Sequence, residues 1–501
     1  MIRPVLLLSA GAVAAALAGA ARAQIFEASF KPLRQGDEVT AIEVRSVLSG
    51  VSGDAPFSLA APVVYAGVPG IADRVQDLTV TDPQGQVALT ATDDPPAPGG
   101  FPYFRHWKAQ RPVSYPVTIR YRSLVQPAGS RQGPPFGIRP SGGGVSGAGS
   151  GFLVIPEHVK GGVSRVQWDL TDMPAGSTGI ASFGEGTAQV KGPPARLMQS
   201  WYMAGPVGRY PAHGQDHGFS AAWLGSSPFD PAVDAAWSAQ LYTFIAKDLR
   251  YLQPPPPYRV FMRFLDTPPV GGGTALPNSF MLSQASAPRD PGAVGPRRTL
   301  AHEMMHQWTG GIEAPQGVSS WFSEGLNTYL TAVVPKRGGF TSLGDYAAEV
   351  NEIAEGYYGV AARTWTAERI AKAGFGDEKI RHVPYNRGAL YFADLDARIR
   401  AKSGGKRRLE DALQPLFAAR QAGQRFDHAA WRAFVVRELG EGADQEFEDR
   451  ILNGVLFTPV TGVFGPCVTL TPKTYTQDGQ TLEGYGFTRQ AGVPDSVCKA
   501  W

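Results

Sequence analysis

A chain of 501 residues with 43% hydrophobic and 18% charged residues is too long for one ordinary core and too apolar for a disordered polymer, so two or three globular domains are expected. The formal net charge is +3, and it falls to +1 if residues 1–23, with Arg3 and Arg22 and no acid, are removed. That balance excludes an electrostatic reason to seek nucleic acid or a membrane surface, while 60 glycines and 42 prolines favour many turns and a large β component.

The first residues, MIRPVLLLSAGAVAAALAGAARAQ, place Arg3 before an apolar run from Val5 to Gly19 and end on the small-x-small triplet Ala21-Arg22-Ala23. This is the pattern of a bacterial signal peptide over 1–23, cut before Gln24, and it predicts an exported protein, periplasmic or secreted. A retained anchor is the alternative, although the run is short for a span; once the leader is removed, no stable membrane insertion is expected.

From Gln24 to about Val125 the chain alternates apolar and polar residues in IEVRSVL, QDLTVTD, QVALTAT and YPVTIRYRSLV, separated by Gly, Pro and Asp clusters. Such alternation predicts strands of a β-sandwich or part of one. SGGGVSGAGSG (141–151) reads as a flexible surface loop; no Lys-Ser or Lys-Thr follows, so it is not a phosphate loop. With further strands at VSRVQWDL and GIASFG, a β-rich N-terminal domain is expected over 24–225. PAVDAAWSAQLYTFIAKDLRYL then has helical spacing, PPPP (254–257) stops it as a rigid connector, and YRVFMRFL reads as a buried strand. GGGTALPNSFMLS (271–283) is a glycine turn followed by a strand. Helices are expected from Arg297 onward, including roughly 342–358, 388–402, 407–422 and 428–438, so that a second domain spans 226–455. The tail, 456–501, returns to turns and strands. It holds the chain's two cysteines, Cys467 and Cys498, which in an oxidising compartment should form a disulfide; a two-cysteine metal site is the competing reading, with no histidine beyond His428 to complete it.

The chemistry is concentrated in TLAHEMMHQWTGGIEAPQGVSSWFSEGLNTYL, 299–330. On a helix, residues four apart lie about 40° apart around the axis, so His302 and His306 can ligate one zinc ion. Glu303, beside the first ligand, is placed to act as a general base on a water at that ion rather than to bind it. A catalytic zinc takes a third protein ligand. Ser319-Ser320 can cap a second helix, WFSEGLNTYLTAVV, that folds back on the first and brings Glu324 to the metal; Glu313, in the loop between, is the rival ligand. Asn327 and Thr328 either orient a ligand or are ordinary helix residues. One zinc per chain is expected, with water at the open position.

HEMMHQW followed by WFSEGLNTYL resembles the gluzincin metallopeptidases. W-x-S-E-G and the stretch VPYNRGALYFADLDARIRAKSGGKRRLEDAL (383–413) are similar to the glycyl aminopeptidase family, and the chain is more distantly like the aminopeptidase N group. The resemblance covers roughly 235–425. It implies a multidomain α+β fold, with an N-terminal β-sandwich-like domain before a thermolysin-like zincin catalytic domain whose C-terminal part is mostly helical. It also implies a peptide or protein substrate, and gives Tyr385 the role of donating its hydroxyl to the oxyanion. Arg387 and His382 receive no role.

One departure from that pattern bears on specificity. The exopeptidases of this group carry an acidic residue in the glycine turn, which holds the substrate's free amino group. Between Gly271 and Ser286 there is none, with Thr274 or Ala275 in the corresponding place. Asp290, Glu349 or Glu352 could substitute, and the strand Ser279–Ser283 could bind substrate backbone by strand addition. The expected activity is that of an exported zinc peptidase, aminopeptidase-like with altered amino-terminus recognition; the alternatives are an endopeptidase and a catalytically silent, chaperone-like module. HGQDH (213–217) reads as a polar loop rather than a second metal site, and Met304, Met305 and Trp308 read as core.

Overall fold

A computed structural model describes residues 24–51, 56–129 and 134–501. The signal peptide expected over 1–23 lies outside the described residues. The protein is multidomain, with a β-rich N-terminal part and a mostly helical C-terminal part.

Among the described residues the N-terminal part forms three sheets rather than a simple pair. The largest has seven strands, in which Ile25–Gln35 lies between Glu38–Ser49, its antiparallel hairpin partner, and Val163–Trp168, which runs parallel to it. Strand Val117–Leu124 shows how alternation builds the core: Val117, Ile119, Tyr121 and Ser123 are buried while Arg120 and Arg122 are exposed. The inward residues of the sheets share one core, where Phe30 meets Phe152, Trp168 and Tyr202 edge-on at centroid distances of 5.3, 5.3 and 5.5 Å.

The glycine-rich stretch 141–151 is not a surface loop. It supplies the strand Gly144–Ala148, and residues 144–151 are all buried. Glycine is needed there for proximity rather than flexibility: a Cβ on Gly149 would lie 2.1 Å from the Leu197 carbonyl oxygen. Residues 208–224 also depart from the domain limits read in the sequence. Strands Gly208–Tyr210 and Phe219–Leu224 join the second part of the molecule, in a five-stranded sheet completed by Tyr258–Leu265, Ser279–Ala285 and the edge strand Gly273–Leu276.

Every residue of Tyr258–Leu265 is buried, because the sheet is covered on both faces. Val260, Met262 and Phe264 pack into the helical core, and Phe261 packs toward the N-terminal part. On that second face Arg259 donates to the Ala181 carbonyl at 2.8 Å, and Ser141 donates to the Phe264 carbonyl at 2.5 Å.

Four helices surround the centre of the second part: the histidine helix Arg297–Thr309, the glutamate helix Gly325–Arg337, the carboxylate helix Leu343–Tyr358 and the tyrosine helix Val383–Lys402. The single helix expected from Ser319 is two pieces, Ser320–Ser323 and Gly325–Arg337, which meet at Glu324; Ser319 makes no side-chain cap. The glutamate and tyrosine helices cross at a pair of glycines. A Cβ on Gly325 would lie 2.6 Å from Gly388 Cα, and one on Gly388 would lie 2.3 Å from the Trp321 carbonyl oxygen.

The tail forms a hairpin, Val468–Gln477 with Gln480–Arg489, tied to the carboxylate helix through Asn351, whose side chain bonds the backbone of Phe487 in both directions at 2.7 and 2.9 Å. Cys467 and Cys498 form a disulfide. Beyond it Trp501 lies between Lys336 and Arg400, 5.0 and 4.7 Å from its ring, and Lys336 donates to its carbonyl.

The glycine crossing makes a prediction. Gly388→Ala should destabilise the protein by about 1–3 kcal/mol, because the added methyl has only backbone to displace. Gly344→Ala, where the nearest non-neighbour atom is 3.7 Å away, should change stability by less than about 0.5 kcal/mol. Guanidinium unfolding of the two variants compares them directly.

Candidate metal centre and its cleft

His302 and His306 project from the same side of the histidine helix, with ring centroids 5.0 Å apart. Glu324, at the break before the glutamate helix, brings one carboxylate oxygen 3.2 Å from His302 Nε2 and 3.4 Å from His306 Nε2. The three ligand atoms lie within 4.8 Å of one another, the only such group of three among the described residues. Two donors each about 2.1 Å from one ion at the tetrahedral angle stand about 3.4 Å apart, so the spacing and the donor set fit zinc. Burial disfavours the charge on Glu324, yet His306 and His302 together draw its carboxyl well below the ordinary range. Burial likewise opposes a charged His306, and Glu324 outweighs it, raising the imidazole.

Glu303 sits beside these groups and is buried. Burial raises its carboxyl, against the two histidines, which lower it. The Ala275 backbone N–H of the edge strand also lowers it, and the strand comes so close that a Cβ on Gly273 would lie 2.8 Å from Glu303 Cγ. The Tyr258 hydroxyl donates to the Glu303 carbonyl at 3.1 Å, fixing the helix to the sheet. Tyr385, on the first turn of the tyrosine helix, lies nearly parallel to the His302 ring, 6.2 Å away at 13°. Burial, with the Glu324 charge added, pushes its phenol far above the ordinary value. Its oxygen accepts an N–H from Arg381 at 3.2 Å.

These residues open onto one cavity of about 1380 Å³ between the two parts of the molecule. The rival ligand Glu313 does not line it; it is 61% exposed and paired with Arg425 at 3.3 Å. Asp290 caps its own turn through Gly292 N–H and is likewise outside the cavity. Glu349 and Glu352 do line it, and both are engaged by Arg298, Glu349 at 3.0 Å. Burial still raises the Glu349 carboxyl. Strand Ser279–Ser283 is flanked on both sides, so the free backbone edge belongs to Gly273–Leu276. In HGQDH, Asp216 takes the Tyr210 hydroxyl and His217 Nδ1, each at 2.6 Å.

Asn327 is the residue the sequence reading underrated. Fully buried, it donates to the His302 carbonyl at 2.6 Å and accepts from the Thr309 hydroxyl at 3.0 Å, joining the glutamate helix to the histidine helix. Its place one turn after Glu324, on the same helix, is the one local sign of that role. Gln307 accepts the Asn278 N–H at 3.2 Å and so holds the turn of the edge hairpin. Arg387 is a buried brace, donating to the carbonyls of Ile451, Arg363 and Trp365.

No protein-family model matches the chain, and no curated protein matches it by sequence. Solved structures do resemble it. An aminopeptidase N family protein from Idiomarina loihiensis superposes with a TM-score of 0.66 at 13% identity, over 89% of this chain and 79% of that one. An M1 zinc metallopeptidase from Deinococcus radiodurans gives 0.54 at 16% identity, over 87% and 95%. Leukotriene A4 hydrolase from yeast gives 0.53 at 13%, over 87% and 69%. At such identities the likeness is one of fold, and the fold is the two-part M1 aminopeptidase architecture.

Elemental analysis should find about one zinc per chain, lost in His302→Ala. Asn327→Ala should weaken zinc affinity by about 10–100-fold in competition with a chelator, because the His302 backbone loses its partner.

Proposed function

We propose that this chain is an exported zinc-dependent peptidase of the aminopeptidase N type, with altered recognition of the substrate's amino terminus. The observation that carries this reading is the convergence of His302, His306 and Glu324 at zinc-ligand spacing, with Glu303 and Tyr385 beside them in one cleft. The Deinococcus protein of the same fold was determined with a Tyr-Ser-Ala substrate, which supports a peptide in the corresponding cleft. Export is supported by the leader pattern and by the disulfide, a bond suited to an oxidising compartment.

A zinc ion held by the three ligands would supply Lewis acidity toward a water molecule and toward the scissile carbonyl. The chain's own residues do the rest. Glu303 takes a proton from the water and delivers it to the leaving nitrogen; its burial, by raising the carboxyl, suits it to hold that proton between the two transfers. Tyr385 donates its O–H to the oxyanion. The N–H of Arg381 occupies a lone pair of the same oxygen and leaves the proton free to point into the cleft. The edge strand Gly273–Leu276 offers unpaired backbone to an extended peptide.

An endopeptidase is the second reading, favoured by the glycine turn's lack of a carboxylate and by the engagement of Glu349 and Glu352 with Arg298. Comparing a free-amino peptide with its acetylated twin separates the two: equal cleavage excludes a strict aminopeptidase.

Glu303→Gln should retain zinc and thermal stability and lose at least about a hundredfold in kcat. Full activity in that variant would overturn the mechanism. Tyr385→Phe should lower kcat by about 10²–10³-fold with little change in KM, read from steady-state kinetics.

A further inference from the structure

The cleft has two walls of different charge. On the helical wall the carboxylates outside the His302–Glu303–His306–Glu324 group face cations: Glu349 and Glu352 hold Arg298, and Glu378 lies 3.8 Å from Arg381. The opposite wall is built by the N-terminal part and the glycine turn. Among the described residues it carries one charged side chain, Arg263. The sequence has no Asp or Glu from 95 to 156 or from 267 to 289, the segments that form most of this wall.

Arg263 rises from strand Tyr258–Leu265 on the face turned to the N-terminal part and is 3% exposed. Its Nε donates to Ser283 Oγ at 3.2 Å, and its Nη1 to the carbonyls of Gly137 and Ser146 at 2.8 and 3.2 Å. Among the described residues no acceptor bonds Nη2, which unlike Arg139 Nη1 is not sealed off from the cavity, and no carboxylate pairs with the guanidinium. A second buried guanidinium stands near. Arg139, 2% exposed, gives Nη2 to Thr267 and Pro268, while its Nη1 is buried without a partner. Burial, then the Arg139 charge, lowers Arg263 from its ordinary value to about 9. Taking a cation out of water costs several kcal/mol unless an anion or a full set of acceptors replaces the water, and two neighbouring cations make this worse. Arg263 lines the same cavity as the exposed glycine turn, whose Gly272 carbonyl accepts the N–H of Ser283, the residue that also takes the Arg263 Nε.

We propose that Arg263 is a specificity residue of the cleft, its Nη2 receiving the carboxylate of a glutamate or aspartate side chain on a peptide that lies against the glycine-turn wall. This rests on the peptidase reading above. It sharpens that reading, since a wall that would repel a substrate ammonium attracts an acidic side chain. The backbone bonds of Arg263 hold the domain interface, and the free end of the same fork faces the substrate.

The test uses the full, zinc-loaded chain and alanine hexapeptides, free-amino and acetylated, with a single Glu, Gln or Lys moved along the sequence. At one position kcat/KM should favour Glu over Gln by about tenfold or more, with Lys lowest. Arg263→Met should remove the Glu advantage, read as a Glu-to-Gln ratio of kcat/KM that falls to within about twofold of one whatever the absolute rate. Because Arg263 also braces the interface, Arg263→Lys serves as a second variant, keeping part of the advantage, and the wild-type ratio stands without either. In zinc-loaded Glu303→Gln, calorimetry should show tighter binding of the same Glu peptide. If no peptide is cleaved but this variant still binds Glu over Gln, the peptidase reading fails and the arginine assignment survives. Glu-to-Gln ratios within twofold at every position, in both cleavage and binding, overturn it, as does the absence of any binding.

Discussion

The contact on which the site depends is the crossing of two helices at Gly325 and Gly388, where neither backbone leaves room for a side chain on the other. Glu324 immediately precedes one of these glycines and Tyr385 lies three residues before the other. The closeness of the crossing therefore sets how near a carboxylate on one helix comes to a phenol on the next. Asn327, one turn along, ties the glutamate helix to the carbonyl of His302 and to Thr309. Three helices far apart in sequence thus behave as one support. Such a support can hold ligands to the few tenths of an ångström that metal binding demands, which separate loops would not.

The sheet behind that support works on two faces. One face is apolar and anchors the histidine helix, down to the Tyr258 hydroxyl on the Glu303 carbonyl. The other presents Arg259 and Arg263 to carbonyls of the N-terminal part. Strand Tyr258–Leu265 is therefore an apolar run interrupted by two cations on the same face. This is the pattern of a strand buried between a core and a polar joint.

Much of this was legible in the residues. The i, i+4 histidines, the helices over 343–358 and 409–421, the helix over 388–402, which in the structure begins earlier at Val383 and so includes Tyr385, and the tail disulfide are properties of local spacing, and local spacing survives folding. What was not legible depends on partners distant in the chain. The glycines of 141–151 look like a flexible loop until Leu197 is placed against Gly149. Strand Phe219–Leu224 looks like the end of the β domain because nothing nearby tells which sheet it will join. Ser279–Ser283 reads correctly as a strand, but whether a strand is central or at the edge is decided by its neighbours, and here Gly273–Leu276 takes the edge. Asn327 looks like an ordinary helix residue because both its partners belong to another helix.

The edge strand has a further consequence. Its Gly273 leaves the space that Glu303 fills, and the Ala275 N–H favours the ionised form of the Glu303 carboxyl. In the proposed function the same four residues offer their outer edge to an extended peptide. One strip would then serve as a rail for the peptide and as a stop for Glu303. A peptide seated in register leaves that stop where it was. One that moves the strip outward takes away the N–H that favours the ionised carboxylate, which raises the carboxyl further and leaves less of it ionised to accept a proton. The link between the strip and Glu303 thus runs through the backbone, with no side chain devoted to it.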